Sequence, residues 1–306
     1  MTPPMKLTVL SAALALTTLV STARADQELK AHKGDVNAVA VSPDGKLVAS
    51  GGDDNNTLLW QDGKVLTTHA SDQGRVKALA FSADGKLLAI GTDIGNLQVY
   101  DLAAKKDLFS VRSSEGRIVS VAFTPDGKTV ATASYDHNLR LVDAKSGKET
   151  AKLAAHKYQV NAMVMAKDGK ALYSCDSNGD VVTWKANKKD TTYAPSKGEC
   201  HALALSGDGK SLAVGYGDGT VVVVDPATGK AQRQAKVPDS VNALAFEGDN
   251  KTIVAGTQGE ELQIIDGANA VTTKKGHSRP ITAVAVAADG RIVTASMDAS
   301  VHVFAK

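Results

Sequence analysis

Residues 32–61 read HKGDVNAVAVSPDGKLVASGGDDNNTLLWQ, and they contain the pattern from which the fold is predicted. It contains three short, mostly apolar runs, at residues 36–41, 47–50 and 57–60. Runs of this length, separated by clusters of Gly, Pro, Asn and Asp, are typical of short β-strands. Gly45 accepts a positive φ without a steric clash, so the first two runs are predicted to form a hairpin.

The turn at the centre of this stretch recurs along the chain at nearly constant spacing. Asp-Gly pairs, with Asp-Asn in one case, begin at residues 44, 84, 126, 168, 208, 249 and 289. The spacing of 40 to 42 residues is the period of a blade repeat, and it gives seven repeats. We therefore predict an all-β fold, a seven-bladed β-propeller of four-stranded antiparallel blades around a central channel.

The repeat resembles the WD40 family. Blade 1 matches best, with His32, the turn Ser42–Gly45, the strand Leu47–Ser50, Asp54 and the dipeptide Trp60-Gln61. In the other blades the final dipeptide becomes Tyr100-Asp101, Val142-Asp143, Trp184-Lys185, Val224-Asp225, Ile265-Asp266 and Phe304-Ala305. The resemblance covers essentially all of residues 27–306, and we assign residues 26–306 to one propeller domain.

The last repeat ends at Phe304, in its third strand, so a fourth strand must come from elsewhere. Residues 27–32 (QELKAH) resemble residues 150–156 (TAKLAAH), which form the predicted outer strand of blade 3 and the loop into blade 4. We therefore expect the N-terminal segment to complete the last blade, which removes an exposed sheet edge.

Residues 1–25 are predicted to be a signal peptide. Lys6 precedes the apolar run 7–20, and residues 23–25 (ARA) fit a cleavage site. The run is shorter than the about 20 apolar residues that span a bilayer, and no Cys follows it to carry a lipid. We expect cleavage after Ala25, a periplasmic or secreted protein, and no membrane anchor.

Charge narrows the choice of partner. The chain has 35 Lys and Arg against 33 Asp and Glu, and two of the bases, Lys6 and Arg24, belong to the signal peptide. The propeller is therefore neutral, whereas nucleic-acid binding without sequence preference needs many uncompensated bases, and so does an anionic membrane surface. We expect a protein or peptide partner, no nucleic acid, and a monomer.

The two cysteines are Cys175 and Cys200. Aligned to blade 1, they occupy the positions of Gly51 and Val36, at similar heights in neighbouring blades. Export would place them in an oxidising compartment, where a disulfide forms if the Cα atoms lie within about 7 Å. A disulfide and two buried free thiols both remain open.

The WD40 resemblance implies buried chains of Trp, Ser or Thr, His and Asp. In blade 1 the positions hold His32, Ser50, Asp54 and Trp60. Blade 4 offers His156, Ser174, Asn178 and Trp184, and blade 7 offers His277, Thr294, Asp298 and Phe304. A Ser-His-Asp set also occurs in hydrolases, but recurrence around the ring favours a structural role. Only blade 1 is expected to be complete.

Other motifs lack part of their pattern. Asp176, Asn178 and Asp180 resemble the opening of a calcium loop, but Val181 replaces its Gly and Asn187 its final acid. Two cysteines are too few for a zinc site, and no haem-attachment motif is present. We expect no catalytic residues, no metal and no cofactor.

In WD40 propellers, partners usually dock on the face that carries the loops into each innermost strand and the turn before the third strand. The matching residues are Asp35, Asp53, Arg75, Lys77, Asp93, Arg117, Tyr135, Gln159, Asn161, Glu199, His201, Gln258 and Met297. Arg75, Lys77 and Arg117 form the only basic cluster among them and are expected to converge. A merely solvated rim is the alternative.

Three classes of function remain open. The sequence favours a non-catalytic propeller that binds or scaffolds proteins in the periplasm. An exported propeller enzyme, lactonase-like or dehydrogenase-like, needs acids and His at the channel mouth, where only Glu199 and His201 qualify. An accessory subunit of a redox or transport system is the third class.

Overall fold

The computed structural model describes residues 26–71, 74–154 and 156–305, and within these ranges it contains 28 β-strands and no helix. The N-terminal strand is β1 (Gln27–Lys30). Blade 1 consists of β2 (Val36–Val41), β3 (Leu47–Gly52), β4 (Asn56–Gln61) and β5 (Lys64–Ala70). Blade 2 consists of β6 (Val76–Phe81), β7 (Leu87–Thr92), β8 (Asn96–Asp101) and β9 (Lys106–Arg112).

The next three blades follow the same order. Blade 3 consists of β10 (Ile118–Phe123), β11 (Thr129–Ser134), β12 (Asn138–Asp143) and β13 (Glu149–Ala154). Blade 4 consists of β14 (Val160–Met165), β15 (Ala171–Asp176), β16 (Val181–Lys185) and β17 (Lys188–Tyr193). Blade 5 consists of β18 (Cys200–Leu205), β19 (Leu212–Tyr216), β20 (Thr220–Val224) and β21 (Ala231–Lys236).

The last two blades close the ring. Blade 6 consists of β22 (Val241–Phe246), β23 (Ile253–Thr257), β24 (Leu262–Ile265) and β25 (Val271–Lys274). Blade 7 consists of β26 (Ile281–Val286), β27 (Ile292–Ser296) and β28 (Ser300–Phe304). Its fourth strand is β1, so the sheet order is β1-β28-β27-β26, while the other six sheets run in chain order.

The predicted seven-bladed, four-stranded propeller is therefore confirmed, and its closure agrees with the order of the last sheet. Strand β1 pairs antiparallel with β28, with Leu29 opposite Val301. The carboxylate of Asp26 accepts the backbone N–H of Ala305 at 2.7 Å, just beyond the last strand. Leu29 is only 6% exposed and packs into the hydrophobic cluster between blades 7 and 1.

The recurrent Asp-Gly turn joins the first two strands of a blade and satisfies its own polar groups. In blade 1, Ser42 Oγ donates to Asp44 Oδ1 at 2.7 Å, and the backbone N–H groups of Lys46 and Leu47 donate to Asp44 and Ser42. Gly45 has a φ of 71°, which a residue with a Cβ rarely adopts. The turn thus stabilises itself through the residues that make it recognisable in the sequence.

The hydrophobic core is distributed around the ring. Seven clusters of buried residues occur in the described ranges, and each joins two neighbouring blades. Burial therefore depends on blade-to-blade contact, as expected for repeats that cannot bury their apolar faces alone.

Candidate functional site

The loops into each first strand and the turns between the second and third strands lie on one face, which we call the top face. In each blade a turn N–H donates to a loop carbonyl, as when Asp53 N donates to Asp35 O at 2.8 Å and Tyr135 N to Arg117 O at 3.0 Å. These bonds place the residues predicted to bind a partner side by side. Binding at this face remains a prediction.

Seven β-bulges surround the top end of the channel. The innermost pairing of every blade skips the second residue of its first strand. The bulged residues are Asn37, Lys77, Val119, Asn161, His201, Asn242 and Thr282. A bulge re-aims a side chain, and all seven line a cavity of about 240 Å³ in the channel.

Several bulged residues hold neighbouring blades together. The side-chain amides of Asn37, Asn161 and Asn242 donate to the backbone carbonyl that begins the next blade's first strand, at 2.9 to 3.0 Å. Thr282 Oγ1 makes the same bond to Val36 O, from blade 7 to blade 1. Asn161, predicted as a binding residue, is thus engaged in an inter-blade contact, which the one-dimensional repeat pattern does not reveal.

His201 occupies the bulge of blade 5. Its Nδ1 lies 3.2 Å from Ser240 Oγ of blade 6, and its Nε2 lies 3.3 Å from Glu199 Oε2. The Glu199 side chain is 64% exposed, so water competes with the imidazole for the carboxylate. The arrangement can bind a polar group at the channel mouth, and it resembles a loosely held Ser-His-Glu set.

The predicted basic cluster is largely neutralised by its neighbours. Lys77 Nζ lies 2.7 Å from Asp53, and Arg75 lies 3.6 Å from Asp53 and 3.9 Å from Asp93. Burial disfavours the charged form of Asp53, but bonds from Lys77 and Asn37 outweigh it, so the pKa of Asp53 lies below its usual range. Arg75 and Lys77 therefore belong to an ion-pair network.

Arg117 differs from these two bases. Its guanidinium carbon lies 5.3 Å from the centre of the Tyr135 ring, and no ion pair with a described carboxylate accompanies that contact. The sequence interpretation also missed Arg279, whose Nη1 lies 3.0 Å from Asp35 and donates to Met297 O at 2.6 Å. Arg279 lies two residues before β26, and Arg117 lies one residue before β10. The position of Arg279 in a loop of the top face was therefore the sequence signal that could have identified it.

The remaining predicted residues lie at the rim. Gln159 and Gln258 are exposed, and Met297 is half-buried. Gln258 Oε1 accepts a long bond of 3.4 Å from Asn242. These contacts leave Gln159 and Gln258 accessible from solvent.

The polar chains of blades 1 and 7 form as predicted. His32 lies between Asp54 (3.0 Å) and Ser50 (2.8 Å), and Trp60 Nε1 donates to Ser50 Oγ at 2.7 Å. In blade 7, His277 lies 3.0 Å from Asp298 and 2.7 Å from Thr294. The imidazoles of His32 and His277 are at most 1% exposed.

Blade 4 requires a correction, because Asn178 is not the partner of its histidine. Asp176 Oδ2 lies 2.9 Å from His156 Nδ1, while Ser174 Oγ lies 2.6 Å from Nε2 and accepts Trp184 Nε1–H at 2.8 Å. Asp176 aligns with Gly52, where an added Cβ would lie 3.2 Å from His32 Nδ1. Both positions therefore reach the imidazole, and blade 4 is as complete as blade 1.

The carboxylates of these chains are ionised more readily than usual. Burial acts against the charge on Asp176, but bonds from His156 and from the N–H groups of Asn178 and Asp180 outweigh it and lower its pKa. For Asp298, bonds from Ser300, Ser278 and His277 overcome burial and lower the pKa to about 2. Burial lowers the pKa of His277, against the opposing effect of Asp298.

Blade 3, which lacks the histidine, uses an arginine instead. The Nη2 atom of buried Arg140 lies 2.7 Å from Asp136, and its Nε lies 3.3 Å from Glu149. Bonds from Arg140 lower the pKa of Asp136 although burial opposes them. The side chain of Arg140 thus takes part in an ion pair within the blade.

Cys175 and Cys200 are joined by a disulfide in the structure, with their Cα atoms 6.0 Å apart. Both residues are fully buried, and the bond connects β15 of blade 4 with β18 of blade 5. Two equivalent pairs, Gly91 with Ile118 and Gly256 with Ile281, approach so closely that a Cβ on the glycine would lie 2.6 to 2.7 Å from the isoleucine. The disulfide occupies a contact that recurs between blades.

Within the described ranges, no group of three or more His, Cys, Asp or Glu side chains is placed to hold a metal ion. The same ranges contain no helix long and apolar enough to cross a membrane. The predicted signal peptide and its cleavage site at Ala25 lie outside the described residues.

Seven antiparallel blades, a bulged ring at the channel mouth and buried His-hydroxyl-acid chains define the class as a WD40-type β-propeller. Residues 20–200 match the family described as "Nucleolar protein 10-like, N-terminal domain". Residues 163–288 match the "Anaphase-promoting complex subunit 4 WD40 domain". Because the first match spans more than half of the chain, the protein belongs to that family of β-propellers.

Two curated relatives come from rice, Oryza sativa subsp. japonica. The chain is 63% identical to "Small ribosomal subunit protein RACK1y" over 41 residues, which are 13% of this chain and 12% of the relative. It is 36% identical to "Small ribosomal subunit protein RACK1z" over 77 residues, which are 25% and 23% of the two chains. The matches span less than a quarter of either relative.

Proposed function

We propose that this protein is a non-catalytic propeller that binds or scaffolds a protein or peptide through its top face after export to the periplasm. One observation carries the proposal. The His-hydroxyl-acid chains of blades 1, 4 and 7 have imidazoles that are at most 1% exposed, so a substrate has no access to them. The residues predicted to bind a partner lie instead in the loops, turns and bulges of the top face.

Export rests on the sequence of residues 1–25, and the position of β1 supports it. Cleavage after Ala25 would leave Asp26 and the strand Gln27–Lys30 intact, and these residues complete blade 7. N-terminal sequencing of the protein from the periplasmic fraction should begin at Asp26. Full-length protein retained in the cytoplasm would contradict export.

The enzyme alternative depends on one constellation, Ser240, His201 and Glu199. Its distances of 3.2 and 3.3 Å are longer than those of the buried chains, and its carboxylate is solvated. A panel of ester and lactone substrates tests it directly. Hydrolysis that disappears in a folded His201→Gln variant would replace the binding proposal with an enzymatic one.

Affinity purification from the exported fraction tests the binding proposal itself. A cysteine at exposed Lys197, on the top face, is coupled to a bulky maleimide polymer, and a cysteine at Lys128, on the opposite face, is the matched control. We expect the polymer at position 197 to abolish partner retention and the polymer at 128 to leave it. The reverse pattern would assign binding to the opposite face.

A further inference from the structure

Arg117 and Lys157 of the top face lack the carboxylate partners that Arg75, Lys77 and Arg279 have. Arg75 and Lys77 pair with Asp53, and Arg279 pairs with Asp35 in the same way. Among the described residues, no carboxylate lies within ion-pair distance of Arg117 or Lys157. These two positive charges are therefore available to a ligand.

Each of the two cations lies over an aromatic ring. Arg117 lies 5.3 Å from the centre of the Tyr135 ring, and Lys157 Nζ lies 5.5 Å from that of Tyr158. Tyr158 is 39% exposed and is the only aromatic among the exposed large hydrophobic side chains of the described residues. Tyr and Arg are enriched at the centres of protein interfaces, because they add apolar contact area to a polar group.

The two cation–aromatic pairs belong to one continuous surface. Tyr135 and His137 share the turn between β11 and β12, and Tyr135 N donates to Arg117 O at 3.0 Å. His137 Nδ1 donates to Lys157 O at 3.0 Å, which joins this turn to the loop of blade 4. We call Arg117, Tyr135, His137, Lys157 and Tyr158 the blade 3–4 sector.

The acids closest in sequence to the sector lie nearer to other cations than to Arg117 or Lys157. Asp136 is held 2.7 Å from buried Arg140, and Glu115 lies 3.7 Å from Arg112. The sector therefore keeps its positive charge. Lys33 and Lys197 of the same face also lack an ion pair among the described residues, but only the sector combines such cations with aromatic rings. That combination indicates a negatively charged ligand with apolar side chains.

We propose that the blade 3–4 sector binds an extended acidic segment of a partner protein. Arg117 and Lys157 take its carboxylates, and apolar side chains between them pack on Tyr135 and Tyr158. Arg suits this role because it donates two parallel bonds to a carboxylate. Two cations are too few for the many phosphate contacts of nucleic-acid binding. The inference rests on the proposed binding function and specifies the partner's chemistry.

The probe is a fluorescent peptide of alternating Glu and Leu, with an isosteric Gln and Leu peptide as its control. We expect the Glu peptide to bind the full chain with micromolar affinity that weakens as salt rises. The Arg117→Gln/Lys157→Gln variant should lose at least about tenfold in affinity, and Tyr158→Ala should lose more than Tyr158→Phe. Equal binding of both peptides would overturn the proposal.

The chain offers a matched control for these charge changes. Lys33 follows His32 in blade 1 as Lys157 follows His156 in blade 4, and Lys197 lies in the corresponding loop of blade 5. Lys33→Gln/Lys197→Gln removes the same charge, and affinity should stay within about twofold, equivalent to about 0.4 kcal/mol. An equal loss of affinity in both double variants would show that the effect depends only on net charge and would overturn the proposal.

Two further results would overturn the proposal, because each would indicate another class of ligand. In the first, a phosphoserine and Leu peptide binds and the Glu peptide does not. In the second, oligothymidine binds more tightly than the Glu peptide, and its binding depends on Arg117 and Lys157. If binding of a natural partner is blocked by the polymer at position 197 but is unchanged in the Arg117→Gln/Lys157→Gln variant, this inference alone would be overturned. The proposed function would then stand.

Discussion

At the scale of single residues, the buried chain of blade 4 shows what an aligned sequence leaves out. The residue types His156, Ser174 and Trp184 were predictable from the repeat, and their contacts follow. The acid was not predictable, because alignment with Asp54 selects Asn178. The side chain two positions earlier, that of Asp176, also reaches the imidazole. Asp176 therefore supplies the charge from the position that is glycine in blade 1.

Exchanging the two candidates distinguishes them. Asp176→Asn should lower the free energy of unfolding by about 1–3 kcal/mol, because His156 and two backbone N–H groups lose a charged acceptor. Asn178→Ala, which removes an exposed side chain, should cost less than about 0.5 kcal/mol. Urea unfolding measures both, and a larger loss in Asn178→Ala would restore the alignment-based assignment.

The pKa values of His277 and Asp298 in blade 7 predict that the free energy of unfolding falls in two stages as the pH is lowered. The pKa of His277 is lowered in the folded protein, so the unfolded chain binds a proton first and stability declines as the pH drops below about 6.5. Asp298, with its pKa lowered to about 2, adds stability that is complete above about pH 4 and is lost as the pH falls towards 2.

Urea midpoints across this pH range test the two stages separately. His277→Gln should reduce the decline between about pH 7 and 5, and Asp298→Asn should reduce the decline below about pH 4. Lys30→Gln, which changes an exposed side chain on the adjacent strand β1, is the control. Parallel pH profiles for the wild type and both blade 7 variants would contradict these assignments.

At the scale of elements, the turns and strands were predictable because each blade repeats its local chemistry. The bulges were not, since a bulge shows only in the pairing of two strands. The disulfide illustrates the same limit. Alignment placed Cys175 and Cys200 on the positions of Gly51 and Val36, but only the structure shows that residues at these two positions meet across five of the blade boundaries.

The closing strand provides the sharpest prediction at this scale. Deleting residues 26–31 should expose the edge of β28 and the apolar surface that Leu29 covers, with a loss of several kcal/mol from a total of about 5–15. Thermal unfolding and light scattering should show a lower melting temperature and aggregation. Lys30→Ala is the control, and an unchanged melting curve for the deletion would mean that β1 does not stabilise the ring.

At the scale of the whole molecule, the sequence predicted the ring and its number of blades but not the charge of its surface. Arg75, Lys77 and Arg117 looked alike as a basic cluster. Folding pairs the first two with Asp53, while Arg117 lies against Tyr135 instead. The pairs with Asp53 cross from blade 2 to blade 1, whereas Arg117 and Tyr135 belong to the same blade. Repeat patterns carry no information about such contacts of individual side chains.

Photo-crosslinking in the exported protein distinguishes recognition of a protein through the top face from recognition through the opposite face. A photoreactive amino acid is placed at Gln159 or Gln258 on the top face, and at Lys128 or Asp208 in the Asp-Gly turns of the opposite face. All four positions are exposed. We predict protein adducts from Gln159 and Gln258 and none from Lys128 and Asp208. Adducts that form only from the opposite face would contradict binding through the top face.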